Sequence, residues 1–315
     1  MLLRDYAITP DVFDETSYPH PAACDAELRN LKDVLLNEGL VRDLRQGEWS
    51  RVFADDARPW HRRAKELLKK LVQQHRLVRF EAHLAGSPSD DVEWCREALG
   101  THGVRPFTGG IIVTESVKAA FPSEALVARI DRLSGAQWWV TRASSVTLRR
   151  DMREYRIQLD PVLRCANSLM FIDPHLDPAK PKYADFVQLL EAAGSRSPAP
   201  LIEIHRACYE GSGPSRTFPM RDDPSYFERR FRNALEVRIR AAGLRVEVFV
   251  WDDFHDRYLI SDLVGISLPN GFDTTTDPKS ITRWTRLSRQ DRDDVQREFD
   301  PASGRYNLRH RFGIP

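Results

Sequence analysis

Apolar residues recur at helical spacing in "AACDAELRNLKDVLLNEG" (22–39), "HRRAKELLKKLVQQH" (61–75) and "SPSDDVEWCREALGTHG" (87–103). Each of these segments predicts an amphipathic helix. Gly39 supplies a stop for the first, and Ser or Asp residues offer caps for the third. Between them lie shorter runs rich in β-branched and aromatic residues: "DYAITPDVF" (5–13), "RLVRFEAH" (76–83) and "GGIIVTES" (109–116). The first predicts a strand or an extended entry segment, and the other two predict strands. "SEALVARIDRLS" (123–134) predicts a further helix, and "QWWVTRASS" (137–145) a strand or connector. "VRDLRQGEWSRVF" (41–53) reads as packing around Trp49 and Phe53.

The alternation then restarts. "LRRDMREYRIQLDPVLRCA" (148–166) predicts a helix, or a helix pair broken at Pro161. "SLMFIDPHL" (168–176) is a core strand ending in Asp-Pro-His, "YADFVQLLEAAG" (183–194) a helix and "PLIEIHRACYEG" (200–211) a strand. A long arginine-faced helix follows in "SYFERRFRNALEVRIRAAG" (225–243). "LRVEVFVWDDFHDRYLISDLVGISL" (244–268) predicts a hairpin with its turn at Asp252–Asp256. "SITRWTRLSRQDRDDVQREFD" (280–300) gives a strand or loop and a helix, and the basic "RYNLRHRFGIP" (305–315) follows. Strands alternating with helices in both halves predict an α/β fold in two domains, 1–145 and 146–315.

Composition narrows the class. Apolar residues make up 41% of the 315 positions, enough for packed cores and too much for a disordered chain. Lys+Arg 47 nearly balance Asp+Glu 46, which argues against a wholly electrostatic nucleic-acid coat but leaves room for a local basic cleft. Arginine far outnumbers lysine in the second half, and its planar fork suits phosphate and carboxylate. Arg229, Arg230, Arg232, Arg238 and Arg240, with Arg283, Arg286, Arg305, Arg309 and Arg311, could build a phosphate-binding rim, against the default of a solvated face. Cys24, Cys95, Cys165 and Cys208 show no zinc or redox spacing. No run reaches the roughly 20 apolar residues of a membrane span. The N-terminus has no signal-peptide pattern, and the expectation is a cytoplasmic protein.

The chemistry concentrates in "DDFHDRYLISD" (252–262). His255, Arg257 and Asp262 fit H-x-(K/R)-x-x-x-x-D, and the run resembles the signature of the phospholipase D superfamily. With "FIDPHL" upstream and "ISLPNGFD" downstream, the second half looks similar to the phospholipase-D-like C-terminal domain of MIT-domain proteins and related bacterial modules. The resemblance covers roughly residues 150–312. It implies a phosphodiesterase that needs no metal. A neutral imidazole attacks phosphorus to form a phosphohistidine, a neighbouring cation neutralises the equatorial oxygens, and a second imidazole protonates the leaving oxygen. His255 then acts as nucleophile or acid, Arg257 as phosphate clamp, and Asp262 as an orienting or structural carboxylate. Asn270 stands partly in place of the missing Gly-Ser-x-Asn element, and Asp173 and His205 are candidate substrate contacts at strand ends.

Superfamily sites use two such motifs. His175, with Asp177 at the third position, does not make a second one. The expectation is therefore a homodimer with the two sites apposed across a two-fold axis. Nucleic acid is the expected partner, and a nuclease, by analogy in bacterial defence, the first reading. A catalytically silent module that binds membrane phosphate groups or a partner protein is the rival. A third reading rests on the first half, whose layout faintly resembles PIN-type nucleases. It would place Asp11, Asp91 and Glu115 around Mg²⁺ or Mn²⁺.

Overall fold

The computed structural model describes residues 1–55, 58–194 and 196–315. The chain divides into two compact units, one comprising Leu3–Ala143 and the other Ser144–Pro315.

The first unit holds a parallel sheet in the order β3-β2-β1-β4-β5. Its strands are β1 (Arg4–Ile8), β2 (Gly39–Asp43), β3 (Leu77–Arg79), β4 (Ile111–Val113) and β5 (Val127–Arg129). Parallel strands covered on both faces are apolar throughout, and Ile111, Ile112 and Val113 are all buried. The helices Pro21–Glu38, Arg62–Gln73 and Asp91–Val104 follow the sequence periodicity. Three differences stand out. Gly39 does stop the first helix, but it also opens β2. The "SEALVARIDRLS" segment is β5 followed by a short 3₁₀ stretch rather than a helix, because Val127 and Ala128 pair in register with Ile111 and Ile112. "QWWV" forms one helical turn, Gln137–Val140.

The second unit is built on an eight-stranded mixed sheet in the order β13-β9-β8-β7-β10-β11-β12-β6. The strands are β6 (Ser145–Arg149), β7 (Ser168–Ile172), β8 (Leu201–Ala207), β9 (Val246–Trp251), β10 (Tyr258–Ser261), β11 (Gly265–Ser267), β12 (Ile281–Arg286) and β13 (Leu308–Ile314). β7, β8 and β9 run parallel, and β10 runs antiparallel beside β7. The Met152–Cys165 helix continues through Pro161 without breaking. The basic tail is an edge strand paired to β9.

The expected hairpin at Asp252–Asp256 does not exist. β9 and β10 are separated in the sheet by β8 and β7. The segment Asp252–Arg257 is therefore a crossing that runs over the ends of β8 and β7 before the chain turns back down as β10. The hairpin lies one strand later, between β10 and β11. This crossing carries His255 and Arg257 to the edge where β7 ends in Asp173 and His175.

Candidate functional site

Asp173 follows the last residue of β7 and is wholly buried. One carboxylate oxygen, Oδ1, accepts the backbone N–H of His175 at 2.9 Å. The other accepts the Tyr183 hydroxyl at 3.0 Å and the Phe272 N–H at 3.2 Å. Arg257 Nε stands 3.7 Å from Oδ1. The carboxyl is held in place by three donors and one cation, yet burial pushes its pKa up. Gly271 makes the arrangement possible. Its φ is +64°, in the left-handed region, and an added Cβ would fall 1.9 Å from Asp173 Oδ2. Asn270, half-buried, precedes this glycine at the same turn.

His175 extends from the same turn as Asp173. Burial first, then the cations Arg257, Lys182, Arg206 and Lys180, lower its pKa to about 4, so the imidazole is neutral at neutral pH. Arg206, wholly buried, braces the turns after β7 and β8. It donates to the carbonyls of Leu176 at 3.2 Å and Tyr209 at 2.9 Å. The His175 ring meets the Tyr209 ring edge-on at 5.8 Å. The Tyr209 hydroxyl donates to the Phe254 carbonyl at 3.2 Å, one residue before His255. Arg257 Nη1 donates to the His255 carbonyl at 3.3 Å. A closed ring of contacts thus links Asp173, His175, Tyr209, the Phe254–Arg257 crossing and Asp173 again. His255 is exposed on that crossing.

The site brings together His255, Arg257, Asp173 and Asn270 of the expected residues, and it adds His175. Motif spacing alone passed His175 over. The available signal was three polar-turn residues, Asp-Pro-His, placed directly after the apolar strand "SLMFI". Two expected residues are elsewhere. Asp262 sits just past the far end of β10, where it accepts from Asn167 N at 2.9 Å and Asn167 Nδ2 at 3.0 Å. It ties β10 to the start of β7, at the opposite end of β10 from His255. His205 lies within β8 in the core, not at its end. Its ring stacks on Phe249 at 4.8 Å and accepts from Trp251 Nε1 at 3.0 Å, through Nδ1. Indole N–H only donates, so the neutral ring carries its hydrogen on Nε2, facing Glu203 at 3.3 Å. No face of His205 remains for substrate.

The arginine rim is largely spoken for. Arg229, Arg230, Arg232, Arg238 and Arg240 on the Tyr226–Ala241 helix all pair with carboxylates.

In the first unit, Asp11 and Asp91 meet at the ends of β1 and β4, where strand order reverses. Asp91 Oδ1 accepts from the Asp11 N–H at 3.1 Å. Asp11 is bound through Oδ2 to Thr114, and burial raises its pKa. Glu115 directs its carboxylate instead to Arg129 at 2.8 Å and is 76% exposed. Arg58 grips Asp91 and Asp14, each at 2.7 Å. The cation among these carboxylates is a guanidinium of the chain itself. Among the described residues no three metal-ligating side chains are assembled.

Comparison with protein-family models finds no match, and no curated protein matches. Among solved structures, matches are found over part of the chain. Nuc of Salmonella typhimurium, a phospholipase D family member, is 13% identical, with 52% of this chain and 97% of that one covered at TM-score 0.34. Phosphatidylserine synthase of Haemophilus influenzae Rd KW20 is 15% identical over 52% of this chain and 39% of its own length, at TM-score 0.31. TrmBL2, an archaeal chromatin protein with a novel mode of DNA binding, is 11% identical over 78% and 81% of the two chains, at TM-score 0.27. No helix among the described residues is long and apolar enough to cross a membrane.

Proposed function

We propose that the second unit is a phosphodiesterase of the phospholipase D type, acting on nucleic acid without a metal ion. The observation that carries this reading is the convergence of His175, Arg257 and the His255 crossing on the buried carboxylate of Asp173. Arg257 supplies the positive charge for the equatorial phosphate oxygens. The His175 imidazole, kept neutral by burial and its cationic neighbours, has the lone pair that a nucleophile needs. It forms the P–N bond as the P–O bond to the leaving group breaks, and His255, as general acid, gives a proton to that oxygen. Water then attacks phosphorus, returns its proton to His255 and releases His175. The homodimer was expected because one motif offers one imidazole per chain. With His175 included, both imidazoles come from a single chain.

The binding-module reading keeps one observation in its favour. Among the described residues no carboxylate reaches His255 to fix its ring, since Asp262 serves the other end of β10. The two readings part in a cleavage assay on single- and double-stranded DNA and RNA in EDTA. Cleavage lost in both His175→Ala and His255→Ala supports the enzyme. Salt-sensitive binding without cleavage, weakened in Arg257→Ala, supports the module. Cleavage that needs Mn²⁺ and survives both variants moves the chemistry to Asp11 and Asp91.

A further inference from the structure

A cleft of about 470 Å³ opens beside the crossing, with Asp252 on its wall. Phe218, Met220 and Pro224 give it an apolar side, and Arg221 and Arg309 a cationic one. The Arg221 guanidinium lies 4.6 Å from the centre of the Phe218 ring. Neither Arg221 nor Arg309 has a carboxylate within ion-pair reach among the described residues, in contrast to the paired arginines of the Tyr226–Ala241 helix. Arg309 lies within electrostatic reach of Asp252 and helps hold its carboxyl below the ordinary value, but the two do not close to ion-pair distance. The Asp252 carboxylate accepts from Asn307 Nδ2 at 2.7 Å and from Asp253 N at 2.8 Å. Phe218 packs against Tyr209 at 6.3 Å, and Tyr209 packs against His175 at 5.8 Å. One aromatic ring therefore separates the cleft from the candidate site.

We infer that this cleft holds one nucleotide of a single-stranded nucleic acid next to the scissile phosphate. The base lies on Phe218 and Met220, and the phosphate on Arg221 and Arg309. The chemistry follows from the lining. A partly exposed aromatic ring stacks on any base face, and arginine forks match phosphate oxygens. A base inside a duplex has both faces covered by its neighbours, so the cleft selects unpaired strands. A lipid headgroup would use the two arginines but would leave the apolar side unfilled. The inference rests on the phosphodiesterase reading and names its substrate class.

The test measures binding apart from cleavage. In the His175→Ala/His255→Ala double variant, fluorescence anisotropy follows a labelled oligothymidylate and an abasic strand of equal length, both in EDTA. Phe218→Ala should weaken oligothymidylate binding about tenfold and leave the abasic strand unchanged, as expected for loss of one stacked base. Phe218→Leu keeps the packing on Tyr209 and should show the same selective loss, which separates stacking from misfolding. Arg309→Ala should weaken both strands and lower the salt dependence by about one phosphate. Equal losses on both strands, or no loss, overturn the inference. Binding of phosphoinositide vesicles in preference to oligothymidylate, lost in Arg309→Ala, also overturns it. If strands bind as described but the wild-type protein cleaves nothing, the cleft stands and the phosphodiesterase reading falls. If the wild type cleaves and the cleft variants bind normally, the reverse holds.

Discussion

Gly271 stands so close to Asp173 that even a methyl group between them would overlap the carboxylate, at 1.9 Å from Oδ2. The glycine also adopts a left-handed backbone that an L side chain enters only at a cost of about 1–2 kcal/mol. Gly271→Ala should therefore cost roughly 2–4 kcal/mol once the overlap is added. Urea denaturation measures that loss. Cleavage at temperatures where the variant stays folded should fall as well, because the Phe272 N–H and Arg257 are set by the same carboxylate.

A site drawn from one chain and a site shared by two give opposite results in a mixing experiment. Inactive His175→Ala and inactive His255→Ala proteins, combined in equal amounts, should remain inactive. Each chain lacks one of its own imidazoles. Recovery of activity on mixing would mean that the two groups meet across a dimer.

Helical periodicity made most of the long helices legible in the sequence, because a one-sided apolar stripe has few other uses. Strand partners were less legible. β9 and β10 are consecutive and apolar, which suggests a hairpin, but nothing in either strand says that β7 and β8 insert between them. β5 was hidden because its three residues lie inside "SEALVARIDRLS", whose apolar spacing also fits a helix, whereas the equally short β4 is set off by the glycine pair before it. The functional residues divide in the same way. His255 and Arg257 were visible as a motif. His175 was not, since its role depends on which strand end it shares with Arg257. A linear motif does not reveal that Asp262 sits past the far end of β10, nor that β8 runs on through Arg206 and Ala207 and so keeps His205 inside the core.

Removing Asp262 should separate structure from chemistry. Asp262→Ala leaves the Asn167 amide and side chain without their acceptor and should destabilise the unit by about 1–3 kcal/mol. Per folded molecule, the cleavage rate should be unchanged. A large drop in that rate, with folding intact, would return Asp262 to an orienting role.

His205 makes stability depend on pH. Burial lowers its pKa, so the folded protein takes up this proton less readily than the unfolded chain. Above about pH 6.5, the ordinary histidine value, both states leave the ring neutral and the stabilisation is fully present. Below it the unfolded chain binds a proton that the folded core refuses, and stability falls with pH. His175, lowered to about 4, adds to the same trend. His205→Gln can still accept from Trp251 and does not titrate. Melting curves between pH 7.5 and 5 should show a shallower decline for this variant, on a scale of roughly 1 kcal/mol per pKa unit removed.

The outermost pairing of the second unit joins Ser145 to Thr285 and Ile281 to Arg149, strands from the two extremes of a long stretch of chain. During synthesis, β6 leaves the ribosome well before β12, and its partner edge stays open throughout the interval. The closure entropy of that loop must be met before the pairing returns anything, which places this strand late in folding. A cell that makes this protein has to shelter β6 from other open edges until β12 arrives, so slowing translation between the two should raise aggregation more than slowing it anywhere upstream.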